Sequence, residues 1–503
     1  MRDTIEQIEA GIAAYRKKKR RQLNRAAAQP ERDSDLDDEQ NLADDVPDDA
    51  WSLWQELPDD PRDEAYRADL ADELGVSEVP LIDAASRNDD FTSLVEEAVD
   101  ETAILDLGSG TYEMDETAAI RWGDLFAVVG DGSDDATIRW DGPLSENADE
   151  YPNYEDDRHG PGLLFSTQAG DVERGYLYGV TVDIEGESEP GLNRDAGIMR
   201  TKVTDELWVN DVVLRGERHR YQQIDGELRA VGYGPTLQAG AIETDATMFF
   251  NDVQLTDGQR YVDIDRDNHF GQGSAVTFTN PHSGTAVLKE VRVHEWSSSG
   301  FYLANRPDRE ASRNVLWDCE AVDCSAGQMR VGYNATIVGG RSERTDYWSG
   351  VLSGKCLEVQ EGTDVEAIGL RIEGTDYSNA IQIRSDAREL DLDRVVLRTD
   401  EDSGTPVSFR GDDTDIGITD CYWYDANDSR SGQVVDIPSA TVTANGWELL
   451  GAGGDDEVQV SSSSSLTVDG DSVASGTSHS AAELGLDDPR PLPEFGFDYS
   501  ARE

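Results

Sequence analysis

The chain has 503 residues, with 105 Asp and Glu against 43 Lys and Arg, a formal net charge of -62. A surface this negative repels nucleic acid and anionic lipid, so binding through a general electrostatic footprint is excluded. No stretch approaches the roughly 20 apolar residues that cross a bilayer, and 47 Gly, 10 Trp, 17 Tyr and 11 Phe set most of the chain apart from an acidic disordered protein.

Residues 1–28 read as a helix, with Ile5, Ile8, Ile12 and Tyr15 on one apolar stripe and the basic run Arg16–Arg21 after it. No apolar core of a secretion signal follows, and Arg20–Arg21 lacks the hydrophobic segment of a twin-arginine signal, so the protein is expected to assemble where it is made. A short amphipathic helix cannot bury its stripe alone, which predicts docking on a partner or on copies of itself. Residues 29–49 read as an acidic linker with almost nothing to bury. Trp51, Leu53, Trp54 and Leu57, then Tyr66, Leu70 and Leu74, predict a helical pair over about 50–75 within a small adaptor, 50–87, with Pro58 and Pro61 between the helices and Gly75 as C-cap.

Asp90 is a good N-cap for a helix carrying Phe91, Leu94, Val95, Ala98 and Val99. AILDLGSGTYEM and LFAVVGDGSDDATIRW then each read as strand, Gly turn, strand. A unit of apolar, two residues, apolar, one residue, apolar follows. It occurs as Leu177/Val180/Val182, Val209/Val212/Leu214, Phe250/Val253/Leu255, Leu288/Val291/Val293 and Leu316/Cys319/Ala321, and again as Ala367/Leu370/Ile372, Leu392/Val395/Leu397 and Ile418/Cys421/Trp423. A degenerate copy, Ile337/Gly340/Ser342, fills the gap. The central positions lie 21 to 41 residues apart. Repeats of this size bury their apolar faces only against their neighbours, and unequal spacing favours a β-solenoid over a propeller.

The segment 88–114, NDDFTSLVEEAVDETAILDLGSGTYEM, resembles the opening of the pectin-lyase-like superfamily, with a polar cap, an amphipathic capping helix and a strand ending in G-x-Y. The resemblance implies an all-β chain, a right-handed parallel β-helix over 88–445, with a small α-helical N-terminal adaptor. It implies no single activity, since such folds include lyases, glycoside hydrolases, esterases, epimerases and viral tailspikes. Residues 446–503 read as a C-terminal cap and extended tail, the run Ser461–Ser465 being a loop. Cys319, Cys324, Cys356 and Cys421 show no zinc or disulfide spacing and read as small buried hydrophobes.

Six of the basic residues are lysines: Lys17, Lys18, Lys19, Lys202, Lys289 and Lys355. Acid surplus, scarce lysine and retained arginine together resemble the proteins of an extreme halophile, a haloarchaeon above all. Chemistry is hard to read among so many acids. The NTD, GHG and RIK motifs of polygalacturonase-like hydrolases are absent, and no arginine stands out as the base of a pectate-lyase-like site. Asp263, Asp265 and Asp267 alternate so that one strand face would hold all three, with His269 beyond: a solvated acidic face, or a site for calcium or another hard cation. No cofactor is required. His219, among arginines, and Trp296, in HEW at 294–296, are candidates for glycan contact; a surface histidine and a coil-closing tryptophan are the plain alternatives.

Three functions compete. A virion protein such as a tailspike, homotrimeric, anchored to other virion proteins by its N-terminal region and facing host surface glycan, needs no export. A polysaccharide lyase or glycoside hydrolase, and a non-catalytic surface or adhesion protein, both need a route out of the cell. The virion reading is therefore the expected one.

Overall fold

The computed structural model describes residues 39–496 apart from 59, 88–89, 115–117, 122, 124, 141–162, 168–171, 185–196, 217–219, 225–226, 232–235, 259–273, 279–281, 297, 304–311, 346–353, 363, 375–378, 400–404, 412–413, 426–432, 451–456 and 488–493. The predicted helix over 1–28 lies outside them. The chain winds as a parallel β-helix, its strands stacking coil upon coil into three long sheets. Sheet A runs through the strands that precede the central residue of each repeat, sheet B through those that follow it, and sheet C is a separate 13-stranded sheet.

The repeats stack as their pattern requires. Leu177, Val209, Phe250, Leu288, Leu316, Ile337, Ala367, Leu392 and Ile418 are successive partners on sheet A. Val182 and Leu214 pair on sheet B, and Leu255, Val293, Ala321, Ser342, Ile372, Leu397 and Trp423 form one unbroken column. The degenerate copy at 337–342 is thus a full member of the stack. The sheet A column also extends beyond the recognised repeats, to Val128 above and Ala444 below.

The corner between sheets A and B is one residue in the left-handed region. Gly179, Asp211, Asp252, Glu290, Asp318, Gly339, Gly369, Arg394, Asp420 and Gly446 all have φ between 47° and 64°. A side chain there costs about 1–2 kcal/mol, least for Asp, whose short polar group bonds locally, and nothing for Gly. The position just before each central apolar residue is therefore conformational, and it absorbs part of the acid surplus. Cys319 and Cys421 occupy equivalent central positions and point their thiols at Leu288 O (3.2 Å) and Leu392 O (3.3 Å) of the preceding coil. All four cysteines are buried and free, and burial pushes each thiol up to about 12.

Helix α1, Asp48–Glu56, and helix α2, Glu64–Leu74, form the predicted pair, and α2 ends on Gly75 in the left-handed region. They lie lengthwise on the outer face of sheet A, in a second apolar core with Tyr176, Trp208, Phe249, Val287, Val315, Trp317, Val338 and Ile368. Trp51 stacks on Trp317 (5.8 Å, 27°), Trp54 meets both edge-on, and Lys289 Nζ lies 5.0 Å from the Trp54 ring and 5.3 Å from that of Trp317. Ion pairs flank the apolar contacts: Arg394–Asp45 (2.9 Å), Arg313–Asp49 (2.6 Å) and Arg174–Glu73 (2.5 Å). The expectation that 29–49 has almost nothing to bury fails at its described end, where Leu42 and Val46 are buried in this core while Asp45 between them pairs with Arg394. Residues 42–79 thus form a strap running back along the solenoid. At its start, strand Glu39–Asn41 pairs parallel with Glu494–Gly496.

Helix α3, Phe91–Asp100, is the predicted capping helix, with Asp90 accepting from Ser93 N at 2.9 Å. It covers the first coil, where bare strand edges would otherwise be exposed. At the other end, Ser465–Val468 and Val458–Val460 are closed by antiparallel strands, Asp471–Val473 and Thr477–His479. The serine run is a turn, Ser463 and Ser464 donating to Pro438 O and Ile437 O at 2.8 and 2.7 Å. None of the described helices is long and apolar enough to cross a membrane.

Below the strap, sheet A is bare and acidic. Glu366 and Asp391 are direct cross-strand partners. Burial, then neighbouring carboxylates, raises both, and Glu389, sharing a hydrogen bond with Asp364, is raised as well. Burial also raises Glu206, Asp318, Glu343 and Asp436, whereas Asp60, Asp131 and Glu320 are lowered. A carboxyl raised on folding binds its proton more readily in the folded chain, so its contribution is present at low pH and lost as pH rises through the folded value. With raised groups in the majority, the melting temperature in low-salt buffer should rise as pH falls from 7 towards 5. Molar salt should flatten the part of that slope due to repulsion. Thermal melts over a pH series at two salt concentrations check this; a melting temperature that falls with pH at low salt contradicts it.

Candidate functional site

Sheet C carries the site. Its strands read apolar, polar, apolar, with the outer residues facing the core and the middle one facing out. From coil to coil the middle column runs Thr277, Tyr302, Arg330, Glu358, Gln382, Ser408, Asp436 and Gln459. Phe301, Met329, Leu357, Ile381 and Val407, each one residue before a column member, are buried in the core.

Around Glu358 the column becomes a built cluster. The Glu358 side chain is only 2% exposed, with Arg330 Nε 2.8 Å from Oε2, Lys355 Nζ 3.4 Å and Arg384 Nη1 3.8 Å from Oε1. The Arg330 contact is one of charge, since Oε2 has no aligned hydrogen bond among the described residues. Arg330 lies over the Tyr302 ring, its Cζ 4.7 Å from the centroid, a cation–π contact. Gln360, its amide turned so that the oxygen meets the guanidinium, accepts from Arg330 Nε at 2.9 Å. Burial lowers the Lys355 ammonium, and Glu358 opposes that shift. Arg410 follows Phe409 on the next strand, its backbone nitrogen donating to Ile383 O at 3.2 Å. Arg384 and Arg410 therefore emerge from adjacent strands on the same outer face.

Four cations, Arg330, Lys355, Arg384 and Arg410, gather here with Glu358 and Asp436 as the described carboxylates that interact with them. On a chain of net charge -62 this is a local reversal. A planar guanidinium over an aromatic ring, beside amides and fixed charges, presents both a stacking surface and hydrogen-bond donors. That combination suits a polar ring compound such as a sugar.

Sheet B carries a different arrangement. His294 Nε2 lies 2.6 Å from Glu320 Oε1, and that bond holds the Glu320 carboxyl below its usual value, against burial. Arg341 pairs with Glu343 and lies 3.9 Å from Glu373. Burial raises Glu343, with Arg341 opposing.

The residues expected from sequence fall elsewhere. Trp296 is fully buried and donates from Nε1 to Leu255 O at 2.9 Å. It closes the coil and offers no ring face to a glycan, a correction of the glycan-contact expectation, with burial as the reason. His219 and the aspartates Asp263, Asp265 and Asp267, with His269, lie outside the described residues. Their segments, 217–219 and 259–273, belong to connections from sheet B to sheet C, between Val203–Arg215 and Leu237–Ala239 and between Thr247–Leu255 and Val276–Phe278. Among the described residues no group of three or more His, Cys, Asp or Glu is placed to hold a metal ion.

No protein-family model matches the chain, and no curated protein does. Solved structures of similar fold are found. The surface adhesin PfbA of Streptococcus pneumoniae aligns at 10% identity and a TM-score of 0.46, over 77% of this chain and 91% of that one. The Dettilon tailspike protein aligns at 10% identity and 0.40, over 76% and 65%. The catalytic unit of an α-1,3-glucanase from Streptomyces thermodiastaticus aligns at 11% identity and 0.33, over 79% and 70%. None of them lends this chain an activity.

Proposed function

We propose that this chain is a receptor-facing spike of a haloarchaeal virus that binds host surface glycan on the outer face of sheet C, as a homotrimer held to other virion proteins by its N-terminal region. The observation that carries the glycan contact is the cluster of Tyr302, Arg330, Lys355, Glu358 and Arg384, in which stacked and charged groups are held together on the outer side of sheet C, with Arg384 about half exposed at its edge. The acid-rich composition supports the high-salt setting. Purified chain in molar salt should bind surface polysaccharide from a host strain, co-purify with virus particles and run as a trimer in light scattering. Tyr302→Ala and Arg330→Ala should each weaken polysaccharide binding about tenfold or more, the scale of a ring or guanidinium contact worth about 1–2 kcal/mol. Wild-type affinity in both variants would refute the placement on sheet C, and a monomer absent from particles would refute the virion role.

A glycan-cleaving enzyme is the second reading, favoured by Glu320 and Glu343, two partly buried carboxyls on adjacent strands whose surroundings move them in opposite directions. It predicts release of oligosaccharide or unsaturated sugar, lost in Glu343→Gln.

A further inference from the structure

We infer that the sugar bound on sheet C is anionic, and that Arg384 and Arg410 hold its negative group; this rests on the glycan-binding reading above. Charge economy on this chain makes the point. Several arginines on so acidic an exterior are drawn into close ion pairs, as with Arg62 on Asp60, Asp106 and Asp131, Arg174 on Glu73, Asp205 and Glu206, and Arg394 on Asp45 and Asp393.

Arg384 and Arg410 behave differently. Arg384 is about half exposed, and its carboxylate contact is the 3.8 Å approach to Glu358, which Arg330 already approaches at 2.8 Å. Arg410 is exposed, donates from Nε to Ser408 Oγ at 2.9 Å and makes no ion pair with a described carboxylate. Burial raises Asp436, on the next strand of the column, with Arg410 opposing. Adjacent strands lie about 4.8 Å apart, so Arg384 and Arg410 are rooted at neighbouring positions of one face, Arg384 leaning towards Glu358 on the strand before and Arg410 bonded to Ser408 on its own, and a ligand lying between them could reach both. Like charges at that spacing are unfavourable alone and favourable around a shared anion. The planar fork of arginine matches the two oxygens of a carboxylate, or two of a sulfate. Such short charge-assisted bonds survive molar salt, in which the Debye length is about 3 Å and long-range attraction is lost.

The register also gives an order along the sheet. Tyr302 and Arg330 lie towards the first coils, Glu358 between, and Arg384 and Arg410 towards the last. The neutral ring face would stack at one end and the anionic group would dock at the other, two to four strands away. Tyr302 and Arg410 are separated by the strands of Arg330, Glu358 and Gln382, about 19 Å at that spacing. A ligand reaching both is an oligosaccharide of several residues rather than a single sugar.

The test uses the full chain in molar potassium chloride and four probes: host surface polysaccharide, an oligoglucuronate, its carboxyl-reduced neutral counterpart, and a sulfated oligoglucose. Oligoglucuronate or the sulfated oligomer should bind at least tenfold tighter than the neutral one, and whichever wins identifies the anionic group. In R384Q/R410Q that preference should vanish while weak binding of the neutral oligomer persists. An unchanged circular dichroism spectrum verifies that the variant is folded, and R384K/R410K, which keeps charge but loses the fork, should restore part of the preference. Equal binding of neutral and anionic oligomers, with host polysaccharide still bound, overturns this inference and leaves the glycan reading standing. No binding of any probe overturns both.

Discussion

Gly340→Val, which would restore the apolar residue that the repeat shows at every other central position, should destabilise the protein by about 3–5 kcal/mol. Gly340 has φ +81°, and a Cβ there would lie 2.2 Å from Cys319 O and 2.8 Å from Cys319 N. The obstacle is the backbone of the coil beneath, which is itself held by Arg341 N donating to Cys319 O at 2.9 Å. It cannot yield as a flexible side chain would. A β-branched residue adds conformational strain of about 1–3 kcal/mol to an overpacking cost of similar size. Chemical denaturation of the two proteins in molar salt measures the difference. A more stable variant would mean that the coil at 337–342 is not built as described. Gly369→Val should be milder, because the atoms a Cβ would meet there are the tip of Leu42.

Trp51→Ala should cost about 3–5 kcal/mol and loosen the strap from the solenoid. Trp51 is 7% exposed and joins three partners: it stacks on Trp317, meets Trp54 edge-on, and belongs to the core that Leu42, Val46 and Leu70 share with sheet A. Truncation also strips the cover from Trp317 and Lys289, which is only 5% exposed and has its ammonium near both remaining rings. Limited proteolysis supplies the local readout. Cleavage within residues 42–79 should accelerate well beyond any change in the β-helix, whereas uniform loss of protection would show that strap and solenoid unfold as one unit.

The fold was legible because one arithmetic rule, an apolar residue at steps of three and two, is imposed by the corner between sheets A and B, and each coil must repeat it to stay in register. What made Gly340 look degenerate was a close backbone approach, which no pattern of hydropathy encodes. The corner residues were visible only as scattered Asp and Gly, since a left-handed φ leaves no mark on polarity. The site on sheet C was missed although a second pattern pointed to it: Phe-Tyr-Leu at 301–303, Met-Arg-Val at 329–331, Leu-Glu-Val at 357–359, Ile-Gln-Ile at 381–383 and Val-Ser-Phe at 407–409. Each triplet is short enough to pass for chance alone, and only the stacking turns their middle residues into neighbours. Trp296 misled for the opposite reason. An aromatic beside an acid reads as a sugar platform, yet the side chain after a sheet B strand here turns inward.

The pairing of Glu39–Asn41 with Glu494–Gly496 has a bearing on how the molecule is attached. Asn41 adjoins Leu42, whose side chain packs by Gly369, well away from the capped first coil. Residues 39 and 496 therefore lie at neighbouring points on the flank of the stack, away from its capped first coil. A load applied between those two points would pass through a three-residue strand pair as shear, leaving the stacked coils outside the line of force. An anchor or fusion at either point would project sideways from the flank, so the stack would be held from its side with the capped first coil clear.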